Sequence, residues 1–252
     1  MILDQVLAAT AGRVAGLPDH HGSVPEKRGR HSLRASLGKG GGRNAIIAEI
    51  KFASPSLGSI RDGTDPTGLA VSMAGAGCAA LSVVTEPYFF NGHPHFIPAI
   101  RPWVSVPILR KDFIIDERQL SESRFLGADA VLLIAGVLRG TLTDMVDSTI
   151  DLGLEPLVEV HSRDEVKEAL RTDTRVIGIN NRDLRTLAVD LSTTIRLAPM
   201  VREAGVAVVS ASGFLWPCDV RRFHHLADGY LIGSAIMAAR DPVKALEGFV
   251  FA

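Results

Sequence analysis

Short apolar runs rich in β-branched residues recur along this chain from residue 45 onward. They fall at 45–51, 80–85, 106–110, 130–134, 156–160, 176–180, 207–210 and 229–232. Several are apolar at almost every position, as suits strands covered on both faces. Between them lie stretches with apolar residues at helical spacing: 67–76, 117–126, 141–152, 163–170, 193–203 and 217–226. Gly77, Gly127, Gly153 and Gly205 sit just beyond four of these, where a left-handed helix cap is wanted. Strands alternating with helices predict parallel βαβ units. Eight such units within 45–252 fit an α/β fold of the closed (β/α)8 TIM barrel type better than an open doubly wound sheet. No glycine-rich dinucleotide fingerprint follows the first strand, which also weighs against the open sheet.

The first 44 residues break this rhythm. Ile2, Leu3, Val6, Leu7 and Val14 share one face of a short helix that starts near Asp4 and ends at Leu17-Pro18. Residues 19–30 read as polar loop, 33–37 as another helical turn, and Lys39-Gly40-Gly41-Gly42 as a hinge. The expected organisation is an N-terminal helical arm, 1–44, covering the mouth of a catalytic barrel, 45–252.

Bulk properties narrow the field. The 252 residues are 46% hydrophobic, enough for a full core, and the formal net charge of -1 argues against a nucleic-acid partner. Cys78 and Cys218 match neither a disulfide framework nor a zinc motif and are expected to be reduced core thiols. His20-His21 and His224-His225 read as surface residues. The N-terminus lacks the basic and apolar blocks of a signal peptide, and no apolar run approaches about 20 residues. The expectation is a cytoplasmic protein with no membrane contact, a monomer or weak homo-oligomer.

Charge placement is more informative. In Ile46-Ile47-Ala48-Glu49-Ile50-Lys51, alternation sends Glu49 and Lys51 to one face of a buried strand. Opposite charges there are costly unless paired or used. Lys111 and Asp112 end the third strand, Glu159 lies in the fifth, Asn180 and Arg182 end the sixth. In a barrel, reactive groups come from these strand ends. Ser212-Gly213 and Gly233-Ser234 follow strands seven and eight, the usual phosphate corner of the fold. A phosphorylated small-molecule substrate is inferred. Glu49, Asp112 and Glu159 together are an alternative Mg²⁺ set, but two lysines on the same rim disfavour a divalent cation, and no metal is expected. His161, just past strand five, is expected to be structural.

Several segments together resemble the indole-3-glycerol phosphate synthase family. They are Glu49-Ile50-Lys51-Phe52-Ala53-Ser54-Pro55-Ser56, Leu81-Ser82-Val83-Val84-Thr85-Glu86 with Phe90-Asn91-Gly92, and Leu109-Arg110-Lys111-Asp112-Phe113. Leu157-Val158-Glu159-Val160-His161, Gly178-Ile179-Asn180-Asn181-Arg182-Asp183-Leu184 and Leu231-Ile232-Gly233-Ser234 complete the set. The resemblance implies a barrel with an N-terminal helical extension. It implies a cofactor-free, metal-free closure of the indole ring of 1-(2-carboxyphenylamino)-1-deoxyribulose 5-phosphate, with loss of CO2 and water. By resemblance Lys111 is the general acid, Lys51 a second lysine at carboxylate or phosphate, Glu159 the base or proton carrier, and Glu49 tunes the lysines. Asn180 would bond a substrate hydroxyl, and Arg182 and Ser54 would lie near the anthranilate carboxylate. Phe90, Phe113 and Leu132 would wall the ring, and Ser212, Gly213, Gly233 and Ser234 would hold phosphate with Lys51.

Two positions depart from the family pattern. Ala211-Ser212-Gly213 stands where the family usually has Glu-Ser-Gly, and Leu57 where a lysine is common. The first removes a rim carboxylate beside the lysines. It leaves open a paralogous barrel acting on a related aryl-amino sugar phosphate, or a non-catalytic phosphate-ligand-binding barrel.

Overall fold

The computed structural model describes residues 2–19, 31–38 and 42–252. The loop expected at 19–30, beyond Asp19, the pair His20-His21, and Lys39, Gly40 and Gly41 of the expected hinge lie outside the described residues. Eight parallel strands form a closed barrel: β1 (Ile46–Ile50), β2 (Ala80–Val84), β3 (Ile108–Lys111), β4 (Ala130–Ile134), β5 (Glu155–Val160), β6 (Val176–Asn180), β7 (Ala207–Ala211) and β8 (Gly229–Ile232). Each pairs with the next in sequence, and β8 closes on β1 through Ile46↔Tyr230, Ile47↔Leu231 and Ala48↔Ile232.

Strand alternation sorts the core into two clusters. Ile47, Leu109, Leu132, Leu157, Val209 and Leu231 fill the interior, while Ile46, Ala48, Leu81, Val83, Val131 and Leu133 pack against the helices outside. Both faces are dry, so the strands read as continuous apolar runs. β3 begins at Ile108, two residues later than its apolar run predicts. Pro107 has no N–H to give the ladder and contributes only its carbonyl, which accepts from Leu81 N at 2.9 Å.

The six predicted helices are present within a few residues of their expected ends; the last, Pro217–Arg222, stops earliest. The hydrophobic period does not reveal Pro87–Phe90, Phe96–Ile100 or Ser234–Met237, because four or five residues make little more than one turn. Pro242–Val250 and a small hairpin, Ala53–Ser54 against Gly58–Ser59, were also not anticipated. Cys78 is buried as expected, but Cys218 is exposed on the first turn of Pro217–Arg222. Among the described residues no helix is long and apolar enough to cross a membrane.

The N-terminal arm contributes to both ends of the barrel. Helix α1 (Ile2–Val14) lies at the mouth. Helix α2 (Leu33–Ser36), capped by the Ser32 hydroxyl, sits at the opposite end. Leu33 and Leu37 join the interior cluster. The backbone N–H groups of His31 and Arg34 donate to Asp129 (3.2 Å) and Glu155 (2.8 Å), at the starts of β4 and β5. Leu33 is fully buried. Leu33→Ala should therefore cost about 2–5 kcal/mol of stability. A urea midpoint unchanged from the parent would contradict this account of the barrel floor.

Candidate active site

A cavity of about 260 Å³ opens at the C-terminal ends of the strands. It is lined by every predicted site residue: Glu49, Lys51, Ser54, Phe90, Lys111, Phe113, Leu132, Glu159, Asn180, Arg182, Ser212, Gly213, Gly233 and Ser234. Lining residues that the sequence did not assign to the site include Ile2, Leu3 and Val6 on the apolar face of α1 and Leu187 and Val189 after β6. Their apolar roof over the mouth had no local signature beyond the helical period of α1.

Glu49 and Lys51 point inward at the end of β1 and pair at 2.7 Å. Burial pushes the Glu49 carboxyl up, but the ammonium groups of Lys51 and Lys111 and the Arg182 guanidinium outweigh it and hold Glu49 ionised below its usual range. Lys111 differs from Lys51: its carbonyl accepts from the Thr85 N–H at 3.0 Å, but its ammonium makes no hydrogen bond or ion pair among the described residues and lines the cavity.

The acid side of the cavity is built from β5 and β6. Asn180 donates Nδ2–H to Glu159 Oε1 at 3.0 Å and accepts from the Arg182 backbone N–H at 2.9 Å. The Arg182 guanidinium donates to the Leu187 carbonyl at 2.9 Å, so part of its fork is spent on the loop. The apolar wall is Phe90 against Phe113, centroids 6.2 Å apart and tilted 40°, with Leu132 beneath. Glu86 places Phe90 by capping Pro87–Phe90: its carboxylate accepts from Tyr88, Phe89 and Phe90 N–H at 2.7–3.1 Å. Glu followed by Pro at N1 is a helix start readable from the sequence.

At the expected phosphate corner Ser212 and Gly213 adopt φ of 66° and 90°, and Gly233 caps the short helix Ser234–Met237. A Cβ at Gly213 would come within 2.7 Å of Val189. A Cβ at Gly233 would collide with the Glu49 carboxylate. Gly233 thus makes room for the ion pair as well as for a ligand. Ser54 sits in the hairpin that follows β1, where its hydroxyl accepts from Leu57 N–H at 3.2 Å. Leu57 is exposed on the hairpin turn. Ala211 lines the cavity at the end of β7 without supplying any polar group.

Asp112, weighed above as a metal ligand, has another task. It takes a two-pronged pair from Arg13 of α1 (2.6 and 2.8 Å) and further bonds from Thr85 (2.6 Å), Arg110 (3.1 Å) and the Phe113 N–H (2.9 Å). Arg110 is fully buried and also pairs with Glu122 at 2.7 Å. Burial raises the Asp112 carboxyl, but Arg110, Arg13 and Thr85 outweigh it and hold it low. The network ties α1 to the residue next to Lys111. Breaking such a buried pair costs about 3–5 kcal/mol; Arg13→Met should fall at the low end, since Arg110 remains. A depressed carboxyl contributes stability above its unfolded value, about pH 4, and loses it as pH falls. The gap in urea midpoint between parent and Arg13→Met should therefore be full at pH 7 and narrow below about pH 4. A gap independent of pH would contradict the role given to Asp112.

Known proteins of one family resemble the chain over most of its length. The family model described as indole-3-glycerol phosphate synthase matches residues 4–249. An indole-3-glycerol phosphate synthase of Carboxydothermus hydrogenoformans is 49% identical over 208 residues, 82% of this chain and 79% of that protein. One of Methanopyrus kandleri is 38% identical over 251 residues, 98% of this chain and 97% of that protein. Among solved structures, KGPDC from Streptococcus mutans aligns with a TM-score of 0.61 at 13% identity, over 82% of this chain and 95% of that one. Thiamine phosphate pyrophosphorylase from Pyrococcus furiosus aligns with a TM-score of 0.60 at 18% identity, over 86% and 96%. At these identities the two structures speak to the barrel alone.

Proposed function

The chain belongs to the indole-3-glycerol phosphate synthase family, and we propose that the residues gathered at its barrel mouth carry out that family's ring closure. The activity is that of a carboxy-lyase in tryptophan biosynthesis. The observation that carries the division of labour is the contrast between two lysines. Lys51 is engaged with Glu49 at 2.7 Å, whereas the Lys111 ammonium, though attracted to Glu49, makes no hydrogen bond or ion pair among the described residues.

The reaction needs the carboxylate-bearing aromatic carbon of 1-(2-carboxyphenylamino)-1-deoxyribulose 5-phosphate to attack the sugar carbonyl. Lys111 donates a proton to the carbonyl oxygen as the carbon–carbon bond forms. The carboxylate then leaves as CO2, and its bonding electrons restore the aromatic ring. The new hydroxyl departs as water after a second proton arrives, and one proton is lost from the adjacent carbon or the nitrogen. Two protons go to oxygen and one is removed, so acid and base must face one pocket. Glu159, oriented by Asn180, is suited to the removal. Lys51, with Glu49 beside it, is suited to holding carboxylate or phosphate. The phosphate is assigned to Ser212, Gly213, Gly233 and Ser234, and the aryl ring to Phe90, Phe113 and Leu132. Arg182 and Ser54 are assigned to the anthranilate carboxylate, and Asn180 also to a substrate hydroxyl. Apolar side chains around the carboxylate strip its water and favour loss of CO2. The same proposal takes α1 as the roof of the site and the protein as a cytoplasmic, cofactor-independent enzyme, a monomer or weak homo-oligomer.

Incubation with the carboxyphenylamino-deoxyribulose phosphate, followed by indole fluorescence, tests the proposal. The parent should form product, and Lys111→Ala should lose about 10²–10⁴-fold or more in kcat. No product from the parent at high enzyme concentration would reject the reading. In the same assay Ala211→Glu should raise kcat. A fall would favour the paralogous reading, with the carboxylate-free corner at Ala211 shaped for a different aryl-amino sugar phosphate.

A further inference from the structure

Glu159 is held on one side only. Its Oε1 accepts from Asn180 Nδ2 at 3.0 Å, while Oε2 has no partner among the described residues. His161, just past β5, also faces Oε1. Its Nε2 is 3.6 Å from Glu159 Oε1, inside ion-pair range but too long for a hydrogen bond. That nitrogen is buried and has no other partner. The ring is fixed from its far edge. Glu165, on the helix Arg163–Ala169, accepts from the His161 backbone N–H at 2.7 Å and faces Nδ1 at 3.3 Å. Glu165 in turn lies close over Gly136, where a Cβ would meet its Oε1 at 3.4 Å.

We propose that His161 is a positioning residue for Glu159: clamped by Glu165, it faces Oε1, holds the carboxylate in place, and leaves Oε2 for the substrate. The sequence alone assigns His161 a structural role. The line Glu165–His161–Glu159 instead runs from outside the barrel to the edge of the cavity. The charged groups facing His161 are Glu159 on its own strand, Glu165 on the following helix and Asp183 in the loop after β6. Burial opposes the charged ring, but these carboxylates outweigh it and raise the imidazole above its ordinary value. The raised imidazole favours the form in which both nitrogens donate, Nδ1–H to Glu165 and Nε2–H toward Glu159. A shift of about 0.6 Å would turn the second into a hydrogen bond.

The kinetic side of this inference rests on Glu159 being the base of the ring closure; the electrostatic side does not. Imidazole NMR on the full, ligand-free chain, assigned with His161→Gln, tests the coupling. The His161 midpoint should lie above about 6.5 and fall in Glu159→Gln and in Glu165→Gln. A midpoint unmoved by Glu159→Gln would overturn the proposal whatever the activity. In the fluorescence assay His161→Gln should lower kcat about tenfold, a modest part of what a general base contributes, with KM little changed. It should also move the acid limb of the kcat profile to higher pH. Loss of stability with an unmoved limb would reduce His161 to a structural residue and overturn the proposal. An inactive parent would reject the ring-closure reading, and the NMR result would then decide the pairing by itself.

Discussion

A buried acid and base at the end of one strand constrain the rest of this molecule. Glu49 and Lys51 are two residues apart on β1, nearly buried, and paired at 2.7 Å. Charge taken out of water survives only when compensated, and here each partner compensates the other. The consequences spread outward. The residue after β8 must be glycine, because any side chain at Gly233 would strike the Glu49 carboxylate. Lys51 is spoken for, which leaves Lys111 on β3 as the ammonium that a ligand meets first. Glu49, attracted by both lysines and Arg182, stays ionised and offsets part of their positive charge.

A second network holds the roof. Asp112 is adjacent to Lys111, but it serves Arg13 and Arg110 rather than the cavity. α1 is thereby tied to the strand end that carries Lys111. At the far end of the barrel α2 closes the floor with Leu33 and Leu37 and with N–H bonds to Asp129 and Glu155. Helices of one N-terminal segment thus contact both ends of the cylinder.

Much of this was legible beforehand, for physical reasons. Strands buried on both faces announce themselves as apolar runs, and polar residues in such runs stand out, which is why Glu49, Lys111, Glu159 and Asn180 could be named from the sequence. Asp112 stood out for the same reason, yet its partner Arg13 is 99 residues away and nothing local links them. The same blindness hid His161: its proximity to Glu159 is expected from alternation, but the clamp from Glu165 depends on how the next helix packs. The one-turn helices Pro87–Phe90 and Ser234–Met237 fell below the length at which a period can be read, although both shape the cavity. α2 was visible as a helical turn, but its place under the barrel followed only from tertiary contacts.

Ala211 is where the site and the family pattern part. It lines the cavity without a polar group, so the carboxylates there are Glu49, Glu86, Glu159 and Asp112, two of them tied to capping and to Arg13. The central claim is that the free lysine on β3 meets the reacting end of an aryl-amino sugar phosphate. A crystal structure with indole-3-glycerol phosphate tests it most directly. The phosphate should lie at Gly213, Gly233 and Ser234, the indole against Phe90, Phe113 and Leu132, and Lys111 Nζ within about 3.5 Å of the ring carbon that carried the departed hydroxyl. A product bound with its phosphate elsewhere, or with Lys111 turned away from that carbon, would contradict it.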